Sequence, residues 1–444
     1  MKNFDRNDGK QICGTLAFLG FAQTDITPEH PVQTIGFNRA DNLSRGVRDP
    51  LRAQISVWSL GEQTCCLAAV DHIGFSREHA DRLRDLVGKT LSTDREHVML
   101  CFSHTHSAPN ESAEPEYFEQ VCQKMTAVAA QAMQDRKPVL AGWGNAFGDI
   151  GLNRRKDSKE LDRRIGILKA VDPETGKPRL MLLRLTAHAN VFKRDNYLIS
   201  ADYFGAVRKR MEEAYGCSVM LIQGASGNVA PKYFDSVETP PDACDERFVR
   251  TKAAPECMAE EVEKQVAAVW DDIAAEPVVR LSVYGKTLPL YADVPDREAA
   301  ERVVKEAWEQ CGIDGVASGW MAEVGRLRET GQKEQCDRTF LQYFVLNEGC
   351  FCGVANEIMC EFALRAAAGC KNEFFYFNGY TNGCTGYFPT EEEFDQGGYE
   401  VYWGMLVYYV FYGRVYPLRR ESAGQLISAA VKYAPKAFGP GLNR

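Results

Sequence analysis

Polar and apolar residues alternate over 52–59 (RAQISVWS), the pattern of a strand with one buried face. Short apolar runs at 64–70, 97–102, 179–186 and 217–223 read as strands covered on both faces. Between them apolar residues recur every three or four positions. Over 115–136, Phe118, Val121, Cys122, Met125, Val128, Ala129 and Ala132 form one helical stripe, and 203–215 and 256–275 repeat the spacing. Strands alternating with helices predict an α/β chain with a large mixed β-sheet core flanked by helices. Residues 232–255, rich in Pro, Asp and charge, predict a surface loop. Residues 295–335 carry two charged helical patterns broken near Gly312–Gly315 and predict a helical insertion lying over the site. The segment 373–417 is unusually aromatic, which suits either core packing or a pocket wall.

Composition narrows the partners. The net charge is −9 and there is no basic run, which disfavours nucleic acid and anionic membrane and leaves small molecules and other protein chains. The apolar stretch from Thr15 to Ala22 is short and broken by glycine, and no run approaches the ~18 residues of a membrane span. The chain therefore reads as cytoplasmic, without stable membrane insertion, and its aromatic tail as a possible homo-oligomer contact. Fifteen irregularly spaced cysteines without a CxxC pair read as reduced thiols.

Histidine is scarce: seven residues, none after His188. His104 and His106 stand in CFSHTHSAP at the end of an apolar run, and residues two apart in extended chain project to the same side. His188, in RLTAHAN, ends a second such run. Each alone suits a core or surface histidine; together they predict one mononuclear metal site, completed by oxygen or sulfur ligands from elsewhere. Gly224–Ala225–Ser226–Gly227–Asn228 resembles a nucleophile elbow but has Asn228 where the motif needs glycine. It reads better as a tight turn, with Gly227 and Asn228 offering backbone N–H groups to a ligand, though Ser226 stays open as a nucleophile. Arg154 is either a surface charge or a clamp for a carboxylate or oxyanion.

Five segments in order resemble the neutral/alkaline ceramidase family, specifically its N-terminal catalytic domain: DITP at 25–28, SHTHSAP at 103–109, LNRR at 152–155, GNVAP at 227–231 and NGYTNGCTGYFPTEEEFDQGGYE at 378–400. The resemblance spans roughly 14–415 and implies a single catalytic domain over 14–436 with one zinc held by His104, His188, Glu357 and Tyr387, Mn²⁺ or Fe²⁺ also being compatible with such ligands. It implies that His106 moves protons beside the metal and that Arg154 faces the reacting carbonyl. The family places a serine nucleophile before the proline of the turn, and here that position is Ala230. The family also carries a C-terminal β-sandwich, to which nothing here corresponds. The expected function is a zinc-dependent hydrolase using metal-activated water on a soluble small-molecule amide, ester or lactone. The alternatives are a metal-dependent enzyme acting on a sugar-derived or polyhydroxylated substrate, and a non-catalytic, metal-stabilised binding protein.

Overall fold

Residues of odd and even number part company along the central strands. In Gln63–Val70, Cys65, Leu67 and Ala69 enter one core while Cys66, Ala68 and Val70 enter another. In Val98–Phe102, Met99 and Cys101 take the first side and Val98, Leu100 and Phe102 the second. Successive side chains of an extended chain point to opposite faces, so an unbroken apolar run requires a cover on each. The computed structural model describes residues 16–155, 157–238, 246–313 and 317–437. Gly315 of the expected helix break, 239–245 of the expected loop and positions 14–15 of the expected domain lie outside them.

The class is mixed α/β, as the pattern of elements implies. Where the sequence suggested one large sheet, the long strands divide among three, of five, five and four strands. The first is ordered Val98–Phe102, Gln63–Val70, Arg52–Leu60, Ala17–Asp25 and Lys137–Pro138. The second runs Ser218–Gln223, Pro178–Leu185, Arg164–Val171, Leu140–Phe147 and Glu276–Pro277. The third runs Leu281–Asp293, Glu334–Leu346, Gly349–Gly353 and Phe375–Asn378. Each sheet turns one face to a shared core, where Trp58 and Leu67 meet Trp143 and Leu182 of the second sheet and Phe344 and Tyr376 of the third. The outer face of each is covered by helices: Arg77–Thr90 and Pro115–Gln134 on the first, Tyr203–Tyr215 and Ala254–Ala267 on the second, Cys360–Cys370 and Ser422–Lys432 on the third. An apolar run reports burial on both faces but not which sheet supplies the neighbours.

Within 295–335 lie helices Arg297–Cys311 and Ala317–Glu329. They share a small core of their own, Val303, Ala307, Trp320 and Val324, with Leu406 of the aromatic helix Gly404–Tyr412. Among the described residues no helix is long and apolar enough to cross a membrane.

Candidate metal centre

His104 follows the last residues of a first-sheet strand. Its backbone is left-handed, φ 62°, which costs a side-chain-bearing residue about 1–2 kcal/mol. Two bonds hold it there: its N–H donates to the His72 carbonyl at 2.9 Å, and its Nδ1 lies 2.6 Å from the Ile73 carbonyl. His188 follows a second-sheet strand, with Nδ1 3.0 Å from the Ser226 carbonyl. His106 places Nδ1 2.9 Å from the Gly36 carbonyl. Gly36 has φ 109°, and a Cβ there would lie 2.8 Å from His106, so only glycine lets that carbonyl approach the ring.

Each ring thus faces a backbone oxygen through Nδ1, which as a donor there leaves Nε2 with a free lone pair. One ligand atom from each of the three buried histidines lies within 4.8 Å of the others. Glu357 joins them from the two-residue strand Glu357–Ile358, which pairs in parallel with Tyr387–Phe388. Its Oε2 is 3.1 Å from His104 Nε2 and 3.7 Å from His188 Nε2. Among the described residues, His106 Nε2, His188 Nε2 and Glu357 Oε2 are buried without a hydrogen-bond partner. Buried polar atoms without partners are expensive, and a convergent set of imidazole nitrogens and a carboxylate is the donor chemistry of a divalent metal. The residues present fit such an ion, and the His104–His106–His188 group could hold one. Burial, reinforced by neighbouring rings and the Arg154 charge, holds His106 and His188 well below the usual imidazole range, so both rings are neutral at pH 7.

The centre opens on a cavity of about 950 Å³. His104, His106, Glu357, Tyr387, Arg154 and Ala230 all line it. Tyr387 sits with its hydroxyl 3.4 Å from Arg154 Nη1, and burial together with the Glu357 charge keeps the phenol protonated far above its ordinary pKa. Arg154 pairs with Glu400 at 3.0 Å. Burial would lower its pKa, but the Tyr387 and Glu400 oxygens more than offset that and raise it, so it is a fixed cation.

Searches against family models and curated proteins find no match. Solved structures do. Neutral ceramidase from Pseudomonas aeruginosa superposes with TM-score 0.68 at 16% identity, over 95% of this chain and 74% of that one. A ceramidase complexed with C2 gives TM-score 0.68 at 14% identity, over 95% and 75%. The chain has a ceramidase-like fold.

On that fold the turn expected to present N–H groups is bonded to residues around the site. Asn228 donates from Nδ2 to Glu361 at 2.8 Å, accepts from the Cys360 N–H, and takes the Arg154 N–H on its carbonyl. Gly227 donates its N–H to the Ile358 carbonyl, and a Cβ there would meet the Glu357 carbonyl at 2.5 Å. Both residues therefore position Arg154 and Glu357. Ser226 is fully buried, with its hydroxyl on Tyr380.

Four contributors escaped the sequence reading. Tyr380 lays its ring 4.3 Å from that of His104. His72 positions His104 through its carbonyl, and it ends an apolar run just as His104 does, so the signal was present. Glu400 anchors Arg154, and Gly36 orients a ring seventy residues away; neither has a local signature.

Proposed function

We propose that this chain is a metal-dependent hydrolase, with zinc the preferred ion, acting on an amide, ester or lactone of a soluble small molecule. The observation that carries this reading is the convergence of buried, partnerless His106 Nε2, His188 Nε2 and Glu357 Oε2 on His104 Nε2. His104, His188, Glu357 and Tyr387 would hold the ion, which when bound acidifies water and polarises a carbonyl. His106 is the least buried of the three rings and lines the cavity, so its neutral Nε2 is placed to take a proton from the attacking water and return it to the leaving group. Arg154, held rigid by Glu400, presents fixed positive charge where an acyl oxygen develops negative charge. Ala230 lines the cavity with a methyl group, so attack by water, with no acyl-enzyme at that position, is consistent with the residues present. Likeness to ceramidases supports hydrolysis of an acyl bond.

The test is turnover of a panel of N-acyl, O-acyl and lactone compounds by protein whose metal content is measured alongside. Activity is expected to track bound metal and to return on adding Zn²⁺ after chelation. Full turnover by metal-free protein overturns the reading.

A further inference from the structure

The cavity lining mixes apolar side chains, Val407 and Phe411 among them, with polar groups. Tyr399, Tyr408 and Tyr412 line it too, and they bring phenol oxygens as well as ring faces. Burial keeps all three phenols protonated, so they remain neutral donors. Tyr399 and Tyr408 hydrogen-bond to each other, and an alkyl chain laid on the wall would offer these hydroxyls no further bond.

Polar residues line the same cavity, and their carboxamides are half committed. Asn42 Oδ1 accepts the Arg39 N–H at 3.1 Å, Asn110 Oδ1 accepts the Ser112 N–H at 3.1 Å, and Asn190 Oδ1 lies 3.5 Å from Lys193 Nζ. The amide nitrogens of all three donate to no protein group among the described residues. Three N–H₂ groups in one cavity call for acceptor oxygens on whatever fills it.

Those oxygens belong to a neutral molecule. The cations of the lining are engaged: Arg154 with Glu400, Arg194 with Glu238, Lys193 with the Asn190 carbonyl. Glu111, a nearly buried carboxylate, also lines the cavity and would repel an anion, whereas it can accept from a hydroxyl. Ring faces for stacking, neutral donors and one carboxylate acceptor together fit vicinal hydroxyls on a saturated ring.

We propose that the substrate body joined to the acyl group is a neutral, polyhydroxylated ring of monosaccharide size, seated between the Asn42, Asn110 and Asn190 carboxamides and the Tyr399–Tyr412 wall. This rests on the hydrolase reading above. Water adds to the acyl carbon, the bond to nitrogen or oxygen breaks, and the free acid and the amino- or hydroxy-sugar leave.

The test compares two amides with the same acyl group, N-hexanoyl-glucosamine and N-hexanoyl-hexylamine, on the zinc-loaded full chain. The kcat/KM of the sugar amide is expected to exceed that of the alkyl amide by about tenfold or more. Asn42→Asp and Asn110→Asp keep an oxygen that accepts the backbone N–H and replace the donor with a charged acceptor. Each is expected to lower the ratio of the two values by about fivefold or more. In a separate arm, millimolar N-acetylglucosamine should raise the melting temperature of the wild type more than that of either variant. Preference for the alkyl amide overturns this proposal and leaves the hydrolase reading intact. No turnover of either amide or of the matching hexanoyl esters, with the sugar still stabilising the wild type selectively, overturns the hydrolase reading and supports this pocket chemistry. Neither turnover nor stabilisation overturns both.

Discussion

The two walls of the cavity are made differently. On the inner wall, His104, His106 and His188 are each anchored to the backbone, by the carbonyls of Ile73, Gly36 and Ser226, at the ends of strands belonging to two packed sheets. The outer wall is a continuous segment, Tyr399–Trp403 and Gly404–Tyr412, that packs on the two insertion helices and belongs to none of the three sheets. It is tied to the inner wall through side chains, Glu400 pairing with Arg154 at 3.0 Å and with Arg155 at 3.7 Å. The contrast separates two tasks. Groups that must converge within a few tenths of an ångström are fixed by strand ends, while groups that select a ligand ride on an appended element that can change without disturbing the centre.

The largest effect should come from removing an inner-wall ligand. His104→Ala is expected to abolish both metal retention and turnover, read by metal analysis of the purified protein and by activity. It should also remove the stabilisation that saturating metal gives the wild type, about 4 kcal/mol at a thousandfold excess over Kd and read as a rise in melting temperature. Retained stoichiometric metal would show that His106, His188 and Glu357 suffice without it.

Behind the inner wall lies a buried ion pair. Arg184 donates to Asp162 at 2.7 Å and to Asn378 at 3.0 Å, linking the second sheet to the third. Burial would raise the Asp162 pKa, but Arg184 and Arg164 overcome it and hold the carboxyl at about 2. A carboxyl depressed on folding stabilises above its unfolded pKa of about 4, and that contribution is lost as pH falls through about 2. Asp162→Asn leaves Arg184 buried without its anion, an expected loss of about 3–5 kcal/mol at neutral pH. In urea titrations the gap between variant and wild type should narrow between pH 4 and 2. A gap independent of pH would refute the assignment.

Gly227→Ala perturbs a ligand without touching it. The new methyl would lie 2.5 Å from the Glu357 carbonyl and 3.0 Å from that of Ile358, both backbone atoms that cannot swing aside. Overpacking of this kind costs about 1–3 kcal/mol, and displacing Glu357 should weaken metal affinity about 10- to 100-fold. A competition assay with a chelating dye reads this directly; unchanged affinity would mean that Glu357 is not a ligand.

Much of the inner wall was legible in the sequence, and the reasons are local. Apolar runs at 64–70, 97–102, 179–186 and 217–223 are strands because both of their faces are buried, and His104 and His188 stand out because polar rings end such runs. Their assembly was not legible: strands buried on both faces look alike whichever sheet they join. Glu357 sits in FCGVANEIM, which has no ligand spacing of its own, and only the resemblance to ceramidases pointed to it. Asn228 was expected to offer its backbone N–H to a ligand; that its side chain and carbonyl hold Glu361, Cys360 and Arg154 was not legible, because those partners lie far along the chain. The aromatic segment 373–417 suited core or pocket, and the structure makes it both: Phe375 and Phe377 enter the core while Tyr399, Tyr408 and Tyr412 line the cavity.

The smallest effect tests the outer wall alone. Gly398 precedes Tyr399 with φ 88° and ψ −162°, a region essentially restricted to glycine. A Cβ there would meet only Arg155 Nη1, at 3.7 Å, so alanine brings no clash and the cost is backbone strain of about 1–3 kcal/mol. That strain falls where the outer wall leaves the body, beside the Arg155 contacts to Glu393 and the Gly397 carbonyl. Gly398→Ala should therefore loosen the seating of Tyr399 and Glu400 and raise KM, with metal content unchanged, because no metal ligand is attached to this segment. Loss of metal in this variant would show that the two walls fold as one unit and that the division of tasks between them is wrong.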